Sequence, residues 1–189
     1  MAPQYAYPDA DTSPGDWGAS TGSDRYAMID DAHGVADAVA DNTYIQVSPS
    51  GDPTAAHPIT VSLGSTTDPV SGADHSVVIL WSDAEGMQQV SLNVNLKDSD
   101  GSSIKNENFD IDEEQTGPIT STMLLSTAQA NSISSSGYGN LGLVLTSTDN
   151  GGSATVNVYR AYFKCPEAGG SSVPIAAIAM NTYKQMGNN

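Results

Sequence analysis

The sequence predicts an all-β fold, an antiparallel two-sheet β-sandwich of the jelly-roll kind with at most one short helix and extended terminal arms. Two observations lead to this prediction. Short segments in which apolar and polar residues alternate recur along most of the chain, and turns rich in Gly, Ser, Asp and Pro separate them. The 189 residues, 38% of them hydrophobic, suffice for one two-layer domain.

The clearest predicted strand covers residues 89–97. Four aliphatic residues alternate there with polar ones, without a break: Val90, Leu92, Val94 and Leu96. A period of two places all four on the core face of a half-buried strand. Residues 98–101, Asp-Ser-Asp-Gly, have turn chemistry, and residues 103–109 are typical of a returning strand. The two segments therefore predict a hairpin.

Other segments extend the predicted sheets. Residues 76–81 are apolar on both faces, which predicts a central or covered strand. Residues 153–163 form a long β-branched and aromatic run, and alternation predicts one shared face for Val156, Val158, Arg160 and Tyr162. The sequence Asp149-Asn150-Gly151-Gly152 predicts a hairpin turn between this run and a strand at 141–145. The remaining predicted strands are 26–29, 44–47, 59–63 and 119–125.

Helical signals are confined to one place. Ser126 as N-cap and Gln129 three residues later form a capping box, which predicts a short helix through Ile133. The single cysteine, Cys165, excludes an intramolecular disulfide and continues an apolar alternation, so we expect it to be a small buried residue.

The chain divides into an extended N-terminal segment (1–23), a sandwich domain (24–166) and a C-terminal arm (167–189). Both ends are rich in Pro, Gly and Ser, yet each carries apolar or aromatic residues. The C-terminal arm is consistent with a tethered docking segment and equally with a tail folded back on its own sandwich. The residues predicted to bind a partner are Tyr5, Tyr7, Val173, Ile175, Ile178 and Met180.

Charge and hydropathy exclude several partners. Twenty-two acidic against six basic residues give a net charge of −16, which argues against nucleic-acid binding. Residues 1–115 hold 20 of the acidic residues, so the C-terminal part is nearly neutral. No apolar run approaches the roughly 18 residues of a membrane span, and the N-terminus lacks the pattern of a signal peptide. We therefore expect no membrane partner.

No catalytic constellation is visible. His33, His57 and His75 lie far apart and outside any Ser or Cys motif, and no glycine-rich phosphate motif occurs. We expect neither enzymatic activity nor a cofactor.

Two kinds of binding residue are present in the sequence. Calcium takes six to eight oxygen ligands, which acidic turns can supply. The weak calcium candidates are Asp98, Asp100, Asp110 and Asp112. Asp-Gly turns also form without an ion. Sugar binding needs exposed aromatic rings beside polar groups, and four aromatic residues are available: Trp17, Trp81, Tyr138 and Tyr159. Trp81 and Tyr159 lie in core-like strands, which favours the core for these two.

Several short motifs follow one another along the chain: Tyr7-Pro8-Asp9-Ala10-Asp11, Trp17, Arg25-Tyr26-Ala27-Met28-Ile29-Asp30, Asp41-Asn42-Thr43-Tyr44-Ile45 and Ser126-Thr127-Ala128-Gln129-Ala130-Asn131-Ser132-Ile133. In this order they resemble a module of virion structural proteins from tailed bacteriophages. The resemblance spans about residues 7–166, and it implies a jelly-roll-like sandwich on the virion with no catalytic residues.

On that resemblance we expect a capsid decoration (cement) protein on the capsid surface. Its partners are the major capsid protein and itself, as a homotrimer, and it acts by burying apolar area across subunit joints. The alternative is a carbohydrate- or receptor-binding module of a tail or head fibre, with a host surface glycan as partner.

Overall fold

A computed structural model gives the structure of the chain and describes residues 2–34, 42–48, 56–84, 90–112, 117–149 and 155–168. The strands are β1 (Gln4–Ala6), β2 (Pro8–Ser13), β3 (Gly18–Ala19), β4 (Ile45–Val47), β5 (His57–Leu63), β6 (Ser76–Asp83), β7 (Val90–Lys97), β8 (Ser103–Ile111), β9 (Ile119–Leu124), β10 (Gly142–Asp149) and β11 (Val156–Cys165). One helix, α1, covers Thr127–Ser132. The predicted arm residues Val173, Ile175, Ile178 and Met180 lie outside the described residues.

The strands form two antiparallel sheets, which confirms the predicted fold class. Sheet A has the order β3-β4-β11-β6-β9, and β1 also pairs with β11. Sheet B has the order β2-β5-β10-β7-β8. The inner faces of both sheets supply the core, where Val90, Leu92, Val94 and Leu96 are each 0% exposed, as their alternation predicts. Helix α1 begins with the predicted capping box of Ser126 and Gln129. In the described ranges, no helix has the length and apolar character of a membrane span.

The N-terminal segment is part of the sandwich, which corrects the prediction that residues 1–23 lie outside it. β1 pairs with β11 and β3 with β4 in sheet A, whereas β2 pairs with β5 in sheet B. Trp17 is 1% exposed, and its indole Nε1 donates a hydrogen bond to the His57 carbonyl oxygen at 2.9 Å. These strands are too short, and too rich in Pro, Gly and Asp, to show a period of two.

The sequence predicted one continuous alternation along strand β11, but the structure interrupts it. Its pairing with β6 shifts register between Val158 and Arg160, so Tyr159 is an extra residue in a β-bulge. The four residues predicted to share one face do not: Val156 and Val158 face the core, but Arg160 and Tyr162 face outward, because the bulge exchanges the two faces. The core positions after the bulge are Ala161, Phe163 and Cys165.

Two further predictions were wrong. Strands β10 and β11 lie in different sheets, so they do not form the hairpin that residues 149–152 predicted. Residues Tyr26–Met28 form a 3-10 turn where a strand was predicted. The Asp11 carboxylate accepts hydrogen bonds from the backbone N–H groups of Arg25 and Tyr26, both at 2.8 Å. The turn is therefore stabilised by a residue outside the segment, which the local sequence pattern does not show.

Candidate functional site

The outer face of sheet A carries the residues most suited to binding. Paired residues of antiparallel strands point to the same side of a sheet, so the strand register places three rows of side chains outward. We call this surface the aromatic face: Tyr5, Ser76, Val78, Leu80, Thr120, Thr122, Leu124, Arg160, Tyr162 and Lys164. It contains no carboxylate at these positions, although the chain carries a net charge of −16.

Four aromatic rings meet at one edge of the aromatic face. Tyr5 stacks on the imidazole of His33 with ring centroids 4.6 Å apart, and Tyr162 meets both rings edge-on at 5.6 Å. Tyr7 lies 5.9 Å from Tyr162, and its hydroxyl oxygen accepts a hydrogen bond from the His33 backbone N–H at 2.8 Å. The structure thus brings together Tyr5 and Tyr7, which the sequence predicted as partner-binding residues.

Tyr162 supports this cluster from beneath. It is 5% exposed, and burial raises the pKa of its hydroxyl, with Arg160 acting in the opposite direction. The Arg160 guanidinium carbon lies 6.0 Å from the centre of the Tyr162 ring, which is the distance of a cation–π contact. The bulge at Tyr159 creates this arrangement, since it turns both side chains outward.

A cleft of about 420 Å³ lies at the end of the same face. Its lining residues are Pro3, Asp74, Ser76, Leu124, Lys164, Pro166 and Glu167. Three of them continue the row that begins at Tyr5, because Tyr5 pairs with Lys164, Lys164 with Ser76, and Ser76 with Leu124. The aromatic cluster and the cleft therefore form one continuous surface.

The aromatic residues considered for sugar binding from the sequence are all in the core. Trp81 and Tyr159 are buried as predicted, and so are Trp17 and Tyr138. Tyr162, which the sequence placed on one face with Val156, lies on the outer side of sheet A instead, against Tyr5 and His33. No sequence signal marked it, since its outward direction depends on the bulge.

The four calcium candidates are not gathered into one site. Asp98 and Asp100 lie in the turn between β7 and β8, whereas Asp110 and Asp112 lie at the opposite end of that hairpin. The Asp98 carboxylate accepts backbone hydrogen bonds from Ser99 and Ser134, and Asp100 accepts one from Ser102, so these acids stabilise the turn. Across the described ranges, no three His, Cys, Asp or Glu side chains group closely enough to hold a metal ion.

The histidines form no catalytic triad in the part of the chain that the structure describes. His33 belongs to the aromatic cluster, and His57 Nδ1 lies 3.0 Å from Asp16 Oδ2 at the surface. His75 is 1% exposed, with Nδ1 2.7 Å from the Ala73 carbonyl oxygen and Nε2 2.8 Å from the Tyr138 hydroxyl. A carbonyl can only accept, so Nδ1 carries the proton and Nε2 accepts from Tyr138. Cys165 is buried as predicted, and burial raises the pKa of its thiol to about 11.

We expect the buried His75 to make the protein less stable in mild acid. Burial lowers the pKa of His75 below its ordinary value, against smaller opposing effects of the Ala73 carbonyl, Asp68 and Asp74. Below about pH 6.5 the unfolded chain therefore binds more protons at His75 than the folded chain does, so stability falls as the pH falls. The loss is at most about 1.4 kcal/mol for each pH unit down to the folded pKa.

This prediction is checked by urea unfolding between about pH 5.5 and 7.5. The range avoids most of the titration of Asp30, whose pKa burial raises and which acts with the opposite sign. His75→Gln keeps an acceptor toward Tyr138 but does not titrate, so the free energy of unfolding of this variant should depend less on pH. The matched control is His57→Gln, which makes the same substitution at a histidine far from Tyr138. If the free energy of unfolding changed equally with pH in wild type and in His75→Gln, the role assigned to His75 would be wrong.

Comparison with known proteins gives similarity in architecture. The sequence matches no protein-family model and no curated protein. Among solved structures, the chain is similar to an arabinose-bound GH51 α-L-arabinofuranosidase, with a TM-score of 0.47, 16% identity, and coverage of 84% of this chain and 25% of that one. It is also similar to the enzymatically active domain of tailspike protein 4 from bacteriophage CBA120, with a TM-score of 0.44, 8% identity, and coverage of 86% and 19%.

A third similar structure is CBM28, a carbohydrate-binding module specific for non-crystalline cellulose. Its TM-score is 0.44, with 11% identity and coverage of 84% of this chain and 96% of that one. The chain thus spans about a quarter of the arabinofuranosidase, about a fifth of the tailspike domain and nearly all of the cellulose-binding module. The fold assignment itself rests on the strand pairing, which defines a two-sheet antiparallel sandwich.

Proposed function

We propose that the protein is a non-catalytic glycan-binding module, and that its ligand lies along the aromatic face and enters the cleft. One observation carries this proposal. The row Tyr5, Lys164, Ser76 and Leu124 places an aromatic ring, an ammonium group, a hydroxyl and an aliphatic side chain side by side at the mouth of a cleft of about 420 Å³.

A sugar suits this combination because a pyranose ring has apolar C–H faces and a rim of hydroxyl groups. The C–H faces pack on aromatic or aliphatic side chains, and the hydroxyls need donors and acceptors beside them. The volume of the cleft lies within the range of ligand pockets, which are mostly apolar with a few polar groups that fix orientation. The aromatic face has both kinds of group in adjacent strands.

The rings of the cluster are already held in place. Tyr5 is only partly exposed, since His33 stacks on one side of it and Tyr162 supports it edge-on. Tyr7 is fixed by its hydrogen bond to the His33 backbone. Side chains that are ordered before binding lose little conformational entropy on binding, which favours affinity.

The polar groups of the cleft are available to a ligand. The Lys164 ammonium forms no hydrogen bond or ion pair with any other described residue, so it can donate to sugar hydroxyls. Asp74 and Glu167 line the same cleft and can accept from hydroxyls. Glycosidases also use two carboxylates, so an assay for reducing ends belongs to every binding experiment.

The proposal is tested by calorimetric titration of the full chain with a panel of oligosaccharides. Tyr5→Ala should weaken binding about tenfold, which is the loss of roughly 1.4 kcal/mol expected for one aromatic contact. The matched control is Tyr44→Ala, because Tyr44 is also partly exposed and packs against another tyrosine, Tyr159, at 5.7 Å. Tyr44 adjoins β4, which pairs with β11 at the end away from Lys164, so this variant should bind like wild type.

Three outcomes would contradict the proposal. The panel gives no binding, or Tyr5→Ala and Tyr44→Ala bind alike while both remain folded, or the incubated glycans acquire new reducing ends. The last result alone would retain glycan recognition and overturn the non-catalytic assignment.

A second candidate function, virion decoration through protein contacts, is favoured by the aliphatic part of the same face. Leu124 is 67% exposed, and Val78 and Leu80 beside it are only partly buried. Exposed aliphatic, aromatic and Arg side chains side by side are typical of protein interfaces. A stained gel of purified virions would separate the candidates, because a decoration protein is present in amounts comparable to the major capsid protein and a fibre module is not.

A further inference from the structure

The outer face of sheet B carries a second array of polar side chains, on the side of the sandwich opposite the aromatic face. Asn93 and Asn95 of β7 lie directly opposite Asn108 and Asn106 of β8, and Ser91 lies opposite Asp110. They point outward because their neighbours Val90, Leu92, Val94 and Leu96 fill the core. We call the four asparagines and Ser91 the amide face.

The composition of the amide face is not explained by strand stability. Asparagine is depleted in β-strands, whereas Thr and other β-branched residues are favoured at exposed strand positions. Four of the 12 asparagines of the chain nevertheless occupy two adjacent cross-strand pairs. The chain has 17 aspartates, yet these central positions carry neutral amides, and charges occur only at the margins, at Asp110 and Lys97.

Hydrogen bonds hold the amides in fixed orientations. The Asn93 Nδ2 group donates to the Oδ1 atoms of both Asn106 and Asn108. Ser103 Oγ donates to Asn95 Oδ1 at 2.7 Å. Because Asn106 and Asn108 accept through Oδ1, their Nδ2 groups remain as donors toward solvent, and Asn93 keeps its Oδ1 as an acceptor. The face therefore presents ordered donors and acceptors that the fold itself does not use.

The array continues across the sheet in further outward side chains, which are polar except for Val144. Thr146 of β10 lies beside Asn93, and Val144 lies beside Asn95, with Thr60 of β5 beyond it. Strands lie about 4.8 Å apart and outward residues of one strand about 6.8 Å apart, so the polar groups repeat at the scale of successive sugar rings. Such an open surface can make many weak contacts with an extended chain, but it does not enclose a small molecule.

We propose that the amide face is a second binding surface and that its ligand is an extended, neutral polysaccharide. An amide group can donate a hydrogen bond to one sugar hydroxyl and accept one from another. Because the amides repeat along the sheet, such hydrogen bonds can form along an extended polysaccharide chain. The neutral centre offers no counter-ion to a polyanion, which the net charge of −16 also repels. This inference does not depend on the aromatic face, because the two surfaces belong to different sheets.

The test uses the full chain carrying Tyr5→Ala, which weakens any binding at the aromatic face and leaves the amide face intact. Affinity electrophoresis is run in gels containing dextran, xylan, galactan or mixed-linkage β-glucan, with alginate as the polyanionic arm. Asn106→Thr together with Asn108→Thr removes two amides and introduces residues favoured in strands, so the melting temperature should not fall. The matched control is Asn131→Thr together with Asn140→Thr, because these two exposed asparagines lie outside both faces.

We expect the Tyr5→Ala protein to be retarded by at least one neutral polysaccharide and not by alginate. The two asparagine substitutions should then weaken that retention about tenfold, as expected for the loss of two or three neutral hydrogen bonds. The control substitutions at Asn131 and Asn140 should leave the retention unchanged. The inference is overturned if no neutral polysaccharide retards the protein, if alginate does so more strongly, or if the asparagine variant is retained as well as its parent.

Discussion

Val94→Asp is expected to destabilise the fold by about 3–5 kcal/mol, because it buries a carboxylate without a partner. Val94 is 0% exposed and lies between Leu145 of β10 and Glu107 of β8 in the register of sheet B. A new carboxylate there loses its hydration and also faces the Glu107 carboxylate, since directly opposed residues of paired strands share a face. A domain of this size has only about 5–15 kcal/mol of stability, so a large part of it is lost.

The measurement is urea unfolding at neutral pH, followed by far-UV circular dichroism. Asn95→Asp is the matched control, because it adds the same charge one residue further along β7 but on the outer face. An exposed substitution of this kind usually changes stability by no more than about 0.5 kcal/mol. If both variants unfolded at the same urea concentration, the assignment of inward and outward residues in β7 would be wrong.

Strand β7 could be predicted from the sequence because its alternation is long and uninterrupted, and β8 because turn residues separate it from β7. A run of four aliphatics at a period of two has one arrangement that buries them all, whatever the rest of the fold does. The capping box of α1 is similarly local, since Ser126 and Gln129 satisfy backbone groups within the same turn. Such features depend on neighbours in sequence, and the structure confirms them.

The features that the sequence did not predict depend on distant residues. Nothing local distinguishes the bulge at Tyr159 from continuous alternation, because the bulge is defined by pairing with β6, about 80 positions earlier in the chain. The same bulge decides that Tyr162 joins the binding surface. Similarly, residues after Asp149 have the composition of a turn, but composition does not say whether the next strand pairs in the same sheet or crosses to the other.

The candidate site was predicted only in part for the same reason. The sequence predicted Tyr5 and Tyr7 as partner-binding residues because they are aromatic residues in a polar segment, but it did not indicate the kind of partner. Their neighbour Tyr162 lies more than 150 positions away in sequence and meets them because β1 pairs with β11. A site assembled from three distant segments leaves no spacing pattern in the sequence.

Asp11→Ala is expected to destabilise the protein by about 2–3 kcal/mol, because one carboxylate holds two backbone donors. Asp11 Oδ2 accepts from the Arg25 N–H and Oδ1 from the Tyr26 N–H, each at 2.8 Å. Removing the carboxylate leaves both partly buried donors without their acceptor. Asp11→Asn keeps one acceptor oxygen, so we expect it to lose about half as much.

Asp9→Ala is the matched control for this substitution, because Asp9 belongs to the same motif and to the same strand. Asp9 is exposed, and its carboxylate accepts a single hydrogen bond from Ser62 Oγ at 2.7 Å, so its removal should change stability by no more than about 1 kcal/mol. A small effect of Asp11→Ala, equal to that of Asp9→Ala, would contradict the role assigned to Asp11. The expected difference would show that the Asp11 carboxylate stabilises the turn at Tyr26 by joining two segments of the chain.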